Sequence, residues 1–250
     1  MKVEYEKILP VTYSDLGTNL EMDVVSSFNF VQNVMTEYFE SCGSDNIVLK
    51  NNDKAIWVVT KSKIHIEKYP IWRDNIKGKC YTTKVKPIRS ESQIIFKNEN
   101  NDICFLAKQE YCVIDLETRK IKKISEITYP KDMEVEEEIF DKPYLKLNDE
   151  FQEDNYVYEQ IVRASDIDYS KHTNNAIYIR YVLNSLPSEF FDKYAITDVE
   201  IHYINESKEG QKLKIYKKQN NNSIDFLIKE DNQEIIRANI EFKEKIIKGK

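Results

Sequence analysis

An internal repeat limits the fold more than any other feature of this chain. Val11–Gly17 reads VTYSDLG and Val162–Asp168 reads VRASDID, a shared V-x-x-S-D-[LI] frame at an offset of 151 residues. Each copy follows a β-like run (KILPVTY, YEQIVRA), precedes a long helical stretch and then leads into several strand-like segments. Self-similarity at a fixed offset marks a structural unit used twice. The order strand, helix, antiparallel strands therefore predicts an α+β chain in which each half buries one helix against an antiparallel sheet.

The first helix is expected over roughly Leu20–Cys42, with Thr18 and Glu21 as a capping box and Gly43 as the stop. Its apolar stripe steps by three and four through Leu20, Val24, Phe28, Val31, Met35, Tyr38 and Cys42. The second is expected over roughly Asn175–Leu186, capped by Thr173 or Asn174 and followed by Pro187. Apolar residues lie on most of its sides, which implies burial nearly all round. Strand-like segments follow at 56–67, 78–86, 92–97 and 103–115, and again at 199–206, 211–219, 223–230 and 234–244. Residues 1–125 and 155–250 are thus expected to be two domains, joined by a partly ordered acidic linker at 126–154.

Composition removes several classes of function. Hydrophobic residues make up 41% of the 250, enough for a real core. No apolar run approaches the length of a membrane span, and the N-terminus MKVEYEKILP lacks a signal-peptide core, so a cytoplasmic protein is expected. Cys42, Cys80, Cys104 and Cys112 show no CxxC spacing and no adjacent histidine cluster, so free buried thiols are expected and no metal. No glycine-rich nucleotide loop occurs, and a net charge of −6 argues against nucleic acid. The charge is uneven: Lys50–Arg89 carries +8 and Lys131–Glu159 carries −8. Solvated faces explain both runs; a dock for an acidic partner is the sharper reading of the basic one.

The two copies diverge where chemistry would sit. After the shared frame, the first continues SDLGTNLEM and the second SDIDYSKHTNN. Only the second has Asp168, Ser170 and His172, which alternate and would share one side of an extended segment. They precede a helix N-terminus, whose unpaired N–H groups at Asn174 and Asn175 suit a developing oxyanion. A carboxylate and an imidazole nearby can orient a water and take its proton. On these ten residues alone, a capped helix entry explains the composition equally well.

DIDYSKHTNNAIYIRYVLNSLP resembles the signature of acyl-acyl carrier protein thioesterases, near D-x-D-x-N-x-H-x-N-N-x-x-Y, through Asp166, Asp168, His172, Asn174, Asn175 and Tyr178. WVVTKSKIHIEKYP (57–70) and IHYINES (201–207) are similar to further family segments. The resemblance implies two tandem hot-dog domains, each a long helix wrapped by an antiparallel β-sheet, and hydrolysis of fatty acyl-acyl carrier protein thioesters. It places the family's catalytic Asp on Asp168, its His on His172 and its later Glu on Glu206. Ser170 stands where the family has Asn, and Ser207 where it has Cys. Serine at 207 makes a cysteine-nucleophile scheme inapplicable and leaves water activated by Glu206 or Asp168, with no cofactor. The acyl chain would lie in the first half, against Phe28, Val31, Met35 and Trp57. Acyl carrier protein is the implied partner, and hot-dog surfaces often associate, which allows a homodimer. Two alternatives stay open: an acyl-coenzyme A thioesterase of the same fold, and a non-catalytic acyl-binding hot-dog protein.

Overall fold

The computed structural model describes residues 3–131 and 133–245. The chain divides into two units, Met1–Pro143 and Tyr144–Lys250, the divide falling inside the acidic 126–154 segment.

In the first unit, β1 (Glu4–Pro10), β2 (Ala55–Ile66), β3 (Asn75–Lys86), β4 (Arg89–Lys97) and β5 (Ile103–Asp115) form an antiparallel sheet in the order β1-β3-β4-β5-β2. A two-residue β6 (Ile121–Lys122) adds to β5. Helix α1 (Val24–Ser41) packs its apolar face on this sheet, burying Phe28, Val31, Val34, Met35 and Tyr38. It starts later than the sequence pattern suggests. Asp23 is the cap, accepting from the Ser26 N–H at 2.6 Å. Residues 17–21 instead close a tight loop, with the Gly17 N–H donating to the Glu21 carbonyl at 2.8 Å and Leu20 exposed at φ 61°. The Thr18/Glu21 capping box is thus corrected: loop closure takes the residues that a longer helix would need. The other end is as expected. Gly43 at φ 63° lets its N–H reach the Glu40 carbonyl and the Ser44 N–H reach the Phe39 carbonyl, closing the last turn. Gly78 on β3 admits α1 at close range, since a Cβ there would lie 2.7 Å from the Phe96 ring and 3.1 Å from Val34. A short helix, α2 (Asn46–Asp53), follows α1.

The opposite face of this sheet is covered by the middle of the acidic segment, residues 138–143. Gln93 accepts from the Ile139 and Phe140 N–H groups at 3.1 and 2.9 Å and donates to the Phe140 carbonyl at 3.1 Å. Lys108, only 2% exposed, donates to the carbonyls of Phe140 (3.2 Å) and Lys142 (2.5 Å) and meets Glu138 at 3.3 Å. Lys63 donates to the Pro143 carbonyl at 3.0 Å. Burial pushes the Glu138 carboxyl up, but Lys84 at 2.6 Å and then Lys108 outweigh it and hold the group below the usual glutamate value.

The second unit repeats the plan. β7 (Tyr156–Ile161), β8 (Tyr194–Tyr203), β9 (Lys212–Gln219), β10 (Ser223–Glu230) and β11 (Gln233–Glu244) run in the order β7-β9-β10-β11-β8, position for position the order of the first sheet. Helix α3 (Asn175–Leu183) is capped by Asn174 and buried on nearly every side, Arg180 excepted. It ends three residues earlier than Leu186, and Pro187 caps a further short helix, α4 (Ser188–Lys193).

Candidate active site

The motif loop lies between β7 and α3. A 3-10 turn over Ala164–Asp166 turns the chain, and the Asp166 carboxylate accepts from the Arg163 N–H and the Tyr181 hydroxyl, both at 2.8 Å. Ile167 then bridges Thr173, the Asp168 N–H donates to the His172 carbonyl at 3.0 Å, and Lys171 sits at φ 65°. The loop is therefore a tight hairpin turn and not the extended segment that alternation suggested. Asp168, Ser170 and His172 nevertheless converge, because the turn folds 168 back over 170.

Asp168 Oδ1 accepts from the Ser170 N–H at 2.8 Å and from Ser170 Oγ–H at 2.5 Å. Ser170 Oγ lies 3.4 Å from His172 Nδ1, and His172 Nε2 lies 3.2 Å from Glu206 Oε2. With its hydrogen committed to the carboxylate, Ser170 Oγ offers Nδ1 only lone pairs, so Nδ1 carries hydrogen. Nε2, on the other side of the ring, faces the Glu206 carboxyl. The His172 and Glu206 side chains are 20% and 33% exposed, so both remain reachable from solvent.

Behind this pair is a closed polar cluster that the sequence did not announce. Ser207 is fully buried, and Thr173 and Tyr178 nearly so. The Ser207 N–H donates to Tyr178 Oη at 3.0 Å, and its Oγ lies 2.8 Å from Tyr178 Oη and 2.7 Å from Thr173 Oγ1. The Ser207 carbonyl accepts from the Thr173 N–H at 2.9 Å and from its hydroxyl at 3.3 Å. Burial pushes the Tyr178 phenol up, against the smaller opposing pull of its hydrogen bonds from Ser207, so it keeps its hydrogen as a donor.

Of the two expected oxyanion donors, Asn174 is corrected: its N–H is spent on the Asp166 carbonyl at 2.9 Å, because the loop must close onto the helix. Its side chain caps the Ala176 N–H at 2.9 Å. Asn175 stands at the first helical position, where an N–H has no partner within the helix. Phe28, Val31, Met35 and Trp57 are all buried in the first unit. Trp57 stacks on Phe39 with ring centroids 5.0 Å apart, near the C-terminal end of α1, whereas Phe28 lies about 16 Å back along the helix axis. Lys68, Lys77, Lys79, Lys84 and Arg89 of the basic run each meet a carboxylate within the first unit.

The same loop exists in the first unit at the same offset. Thr12 N–H to Asp15, Gly17 N–H to Glu21, Asp23 N–H to Asp15, the Leu16–Met22 bridge and the left-handed Leu20 match Arg163–Asp166, Asp168–His172, Asn174–Asp166, Ile167–Thr173 and Lys171 in turn. Met22 N–H donates to Pro70 as Thr173 N–H donates to Ser207, so Tyr69 is the counterpart of Glu206. Where the second unit has Asp168, Ser170, His172 and Glu206, the first has Gly17, Asn19, Glu21 and Tyr69.

The acyl-ACP thioesterase C-terminal domain model matches residues 146–244, and the N-terminal domain model matches residues 2–130. The chain belongs to the acyl-ACP thioesterase family. Among its relatives, oleoyl-acyl carrier protein thioesterase 1 (chloroplastic) of Arabidopsis thaliana is 24% identical over 227 residues, covering 83% of this chain and 61% of its own. The dodecanoyl-[acyl-carrier-protein] hydrolase (chloroplastic) of Cinnamomum camphora is 22% identical, covering 80% of this chain and 55% of its own. The chain thus spans little more than half the length of these relatives. In fold it is similar to an acyl-ACP thioesterase from Bacteroides thetaiotaomicron, with TM-score 0.86 and 17% identity over 96% of this chain and 98% of that one. The 12:0-ACP thioesterase from Umbellularia californica gives TM-score 0.82 and 16% identity, over 97% and 98%. The tandem hot-dog expectation holds. Among the described residues no group of His, Cys, Asp and Glu is placed to hold a metal, and no helix is long and apolar enough to cross a membrane.

Proposed function

We propose that this acyl-ACP thioesterase family member hydrolyses fatty acyl thioesters carried on acyl carrier protein, releasing free fatty acid and the carrier thiol. The observation that carries the reading is the continuous contact path Asp168–Ser170–His172–Glu206, in the unit that differs from its twin at all four positions. The Glu206/His172 pair takes a proton from water as the oxygen adds to the thioester carbon. The carbonyl oxygen becomes an oxyanion facing the Asn175 N–H. As the tetrahedral intermediate collapses, the C–S bond breaks and the thiolate leaves with the proton that the imidazole held. Asp168, through Ser170, fixes the ring that moves this proton. The same reading seats the acyl chain along the apolar face of α1.

The relatives' names support the carrier-bound substrate; the pairing of the basic run within its own unit favours coenzyme A thioesters as the second reading. A hydrolysis screen of both thioesters across chain lengths decides, with Asp168→Asn, His172→Ala and Glu206→Gln as controls. Wild-type rates in all three variants would sink the assignment. A steep loss of kcat/KM with salt on the carrier substrate alone supports carrier docking on the basic run; equal salt sensitivity for both argues against docking there.

A further inference from the structure

Ser207, Thr173 and Tyr178 take no part in the proposed proton transfers. None of them is exposed, so none can touch a substrate. Yet they adjoin the acid–base pair in sequence: Thr173 follows His172, and Ser207 follows Glu206. One assignment gives every hydrogen of the cluster a partner. Ser207 N–H donates to Tyr178 Oη, Tyr178 O–H to Ser207 Oγ, Ser207 O–H to Thr173 Oγ1, and Thr173 O–H to the Ser207 carbonyl. The ring is closed, and both of its anchors are the residues next to the reacting pair.

The first unit again supplies the comparison. Its counterparts of Thr173, Tyr178 and Ser207 are Met22, Ser27 and Pro70. The backbone bond survives there, Met22 N–H to the Pro70 carbonyl at 2.7 Å. The ring does not: proline has no N–H, and Ser27 Oγ lies 3.2 Å from the Asp23 carbonyl and 3.6 Å from the Met22 sulfur, with no hydroxyl partner at position 22 or 70. One backbone bond is therefore enough to join these loops in the fold. Of the two matched loops, the one beside the carboxylate and imidazole has the hydroxyl ring and its twin does not.

We infer that Ser207, Thr173 and Tyr178 are positioning residues: their closed hydrogen-bond ring fixes the loop ends that hold Glu206 against His172. This rests on the proposed hydrolysis by that pair. It also gives the serine at 207 a task that needs no nucleophile. A sulfur there would lengthen both Oγ contacts and loosen the ring.

The test is a double-mutant cycle on acyl thioester hydrolysis, using the whole chain and checking fold by circular dichroism. Tyr178→Phe deletes one hydroxyl and is expected to lower kcat at least tenfold with KM within twofold. In the Glu206→Gln background the same change should cost less than twofold, since nothing remains to be positioned. Thr173→Val should behave like Tyr178→Phe, and Thr173→Ser, which keeps the hydroxyl, should restore at least half of wild-type kcat. Equal losses from Tyr178→Phe in both backgrounds would overturn the inference, as would indistinguishable Val and Ser variants at 173. If Tyr178→Phe does not fold, the Thr173 pair decides alone. A wild-type protein with no thioester hydrolysis would refute the proposed function instead, a separate outcome.

Discussion

Replacing Ser170 with alanine removes one oxygen and nothing else, so its effect can be worked out from two distances. Oγ–H donates to a carboxylate at 2.5 Å, a charge-assisted bond, while the contact to His172 Nδ1 at 3.4 Å is long. Hydrogen bonds to charged groups contribute about 1.5–3 kcal/mol net. Asp168 keeps its second donor, the Ser170 N–H at 2.8 Å, so the carboxylate stays in place and only the link to the ring is lost. If that link acts fully in the transition state, kcat falls about 10- to 150-fold, at 1.36 kcal/mol per tenfold. The assay is thiol release from an acyl-carrier thioester under steady-state conditions, with kcat and KM resolved. KM should move little, and Ser170→Ala added to Asp168→Asn should cost less than twofold more, because the bond it removes is already weakened. A kcat within twofold of wild type would refute the path from Asp168 to the imidazole. So would full additivity in the double variant.

Other consequences concern stability and chain preference. Because the folded Glu138 carboxyl sits below its usual value of 4.5, its contribution is present above that pH and is lost as pH falls through the folded value. Urea unfolding should show Glu138→Gln less stable than wild type at pH 7, with the gap closing below pH 4.5; a constant gap would contradict the pairing. Gly78→Ala places a methyl 2.7 Å from Phe96 and should cost about 1–3 kcal/mol through overpacking, read from the urea midpoint. Met35→Trp, if folded by circular dichroism, should shorten the preferred acyl chain; unchanged preference would argue against the α1 seat.

The duplicated topology was legible because the repeat was. A frame of four matching positions pointed to two sheets of identical strand order, and the i, i+3, i+4 stripe found the buried face of α1. Asp168, Ser170 and His172 lie within contact distance of one another, although the expected extended segment is a turn. That error has a physical source: Leu20 and Lys171 both take left-handed backbone, and neither residue type announces it. Helices α2 and α4 escaped notice because they are short; α2 buries only Leu49 and α4 only Phe190, too little for a periodic signal. The Thr173–Tyr178–Ser207 ring joins residues 34 and 29 positions apart, which no local pattern encodes. At the repeat offset Thr173 and Tyr178 align with Met22 and Ser27, but Ser207 matches Pro70 only through the backbone bond that each accepts. Lys63 lies in the basic run read as a solvated face, yet in the fold it donates, as does Lys108, to carbonyls of the acidic segment.

The matched loops also separate what folds this protein from what it does. Residues 13–23 and 164–174 share most of their main-chain bonds while differing at the positions proposed to carry chemistry, so the loop's shape is written in backbone and in Asp15 or Asp166. Even Gly17 is not a backbone requirement: a Cβ there meets nothing closer than 3.7 Å. Inactivating changes at 168, 170 or 172 should therefore leave expression, solubility and melting temperature almost untouched. A survey of natural or engineered variants scored by abundance would pass them all, and only a turnover measurement would tell a working copy from a silent one.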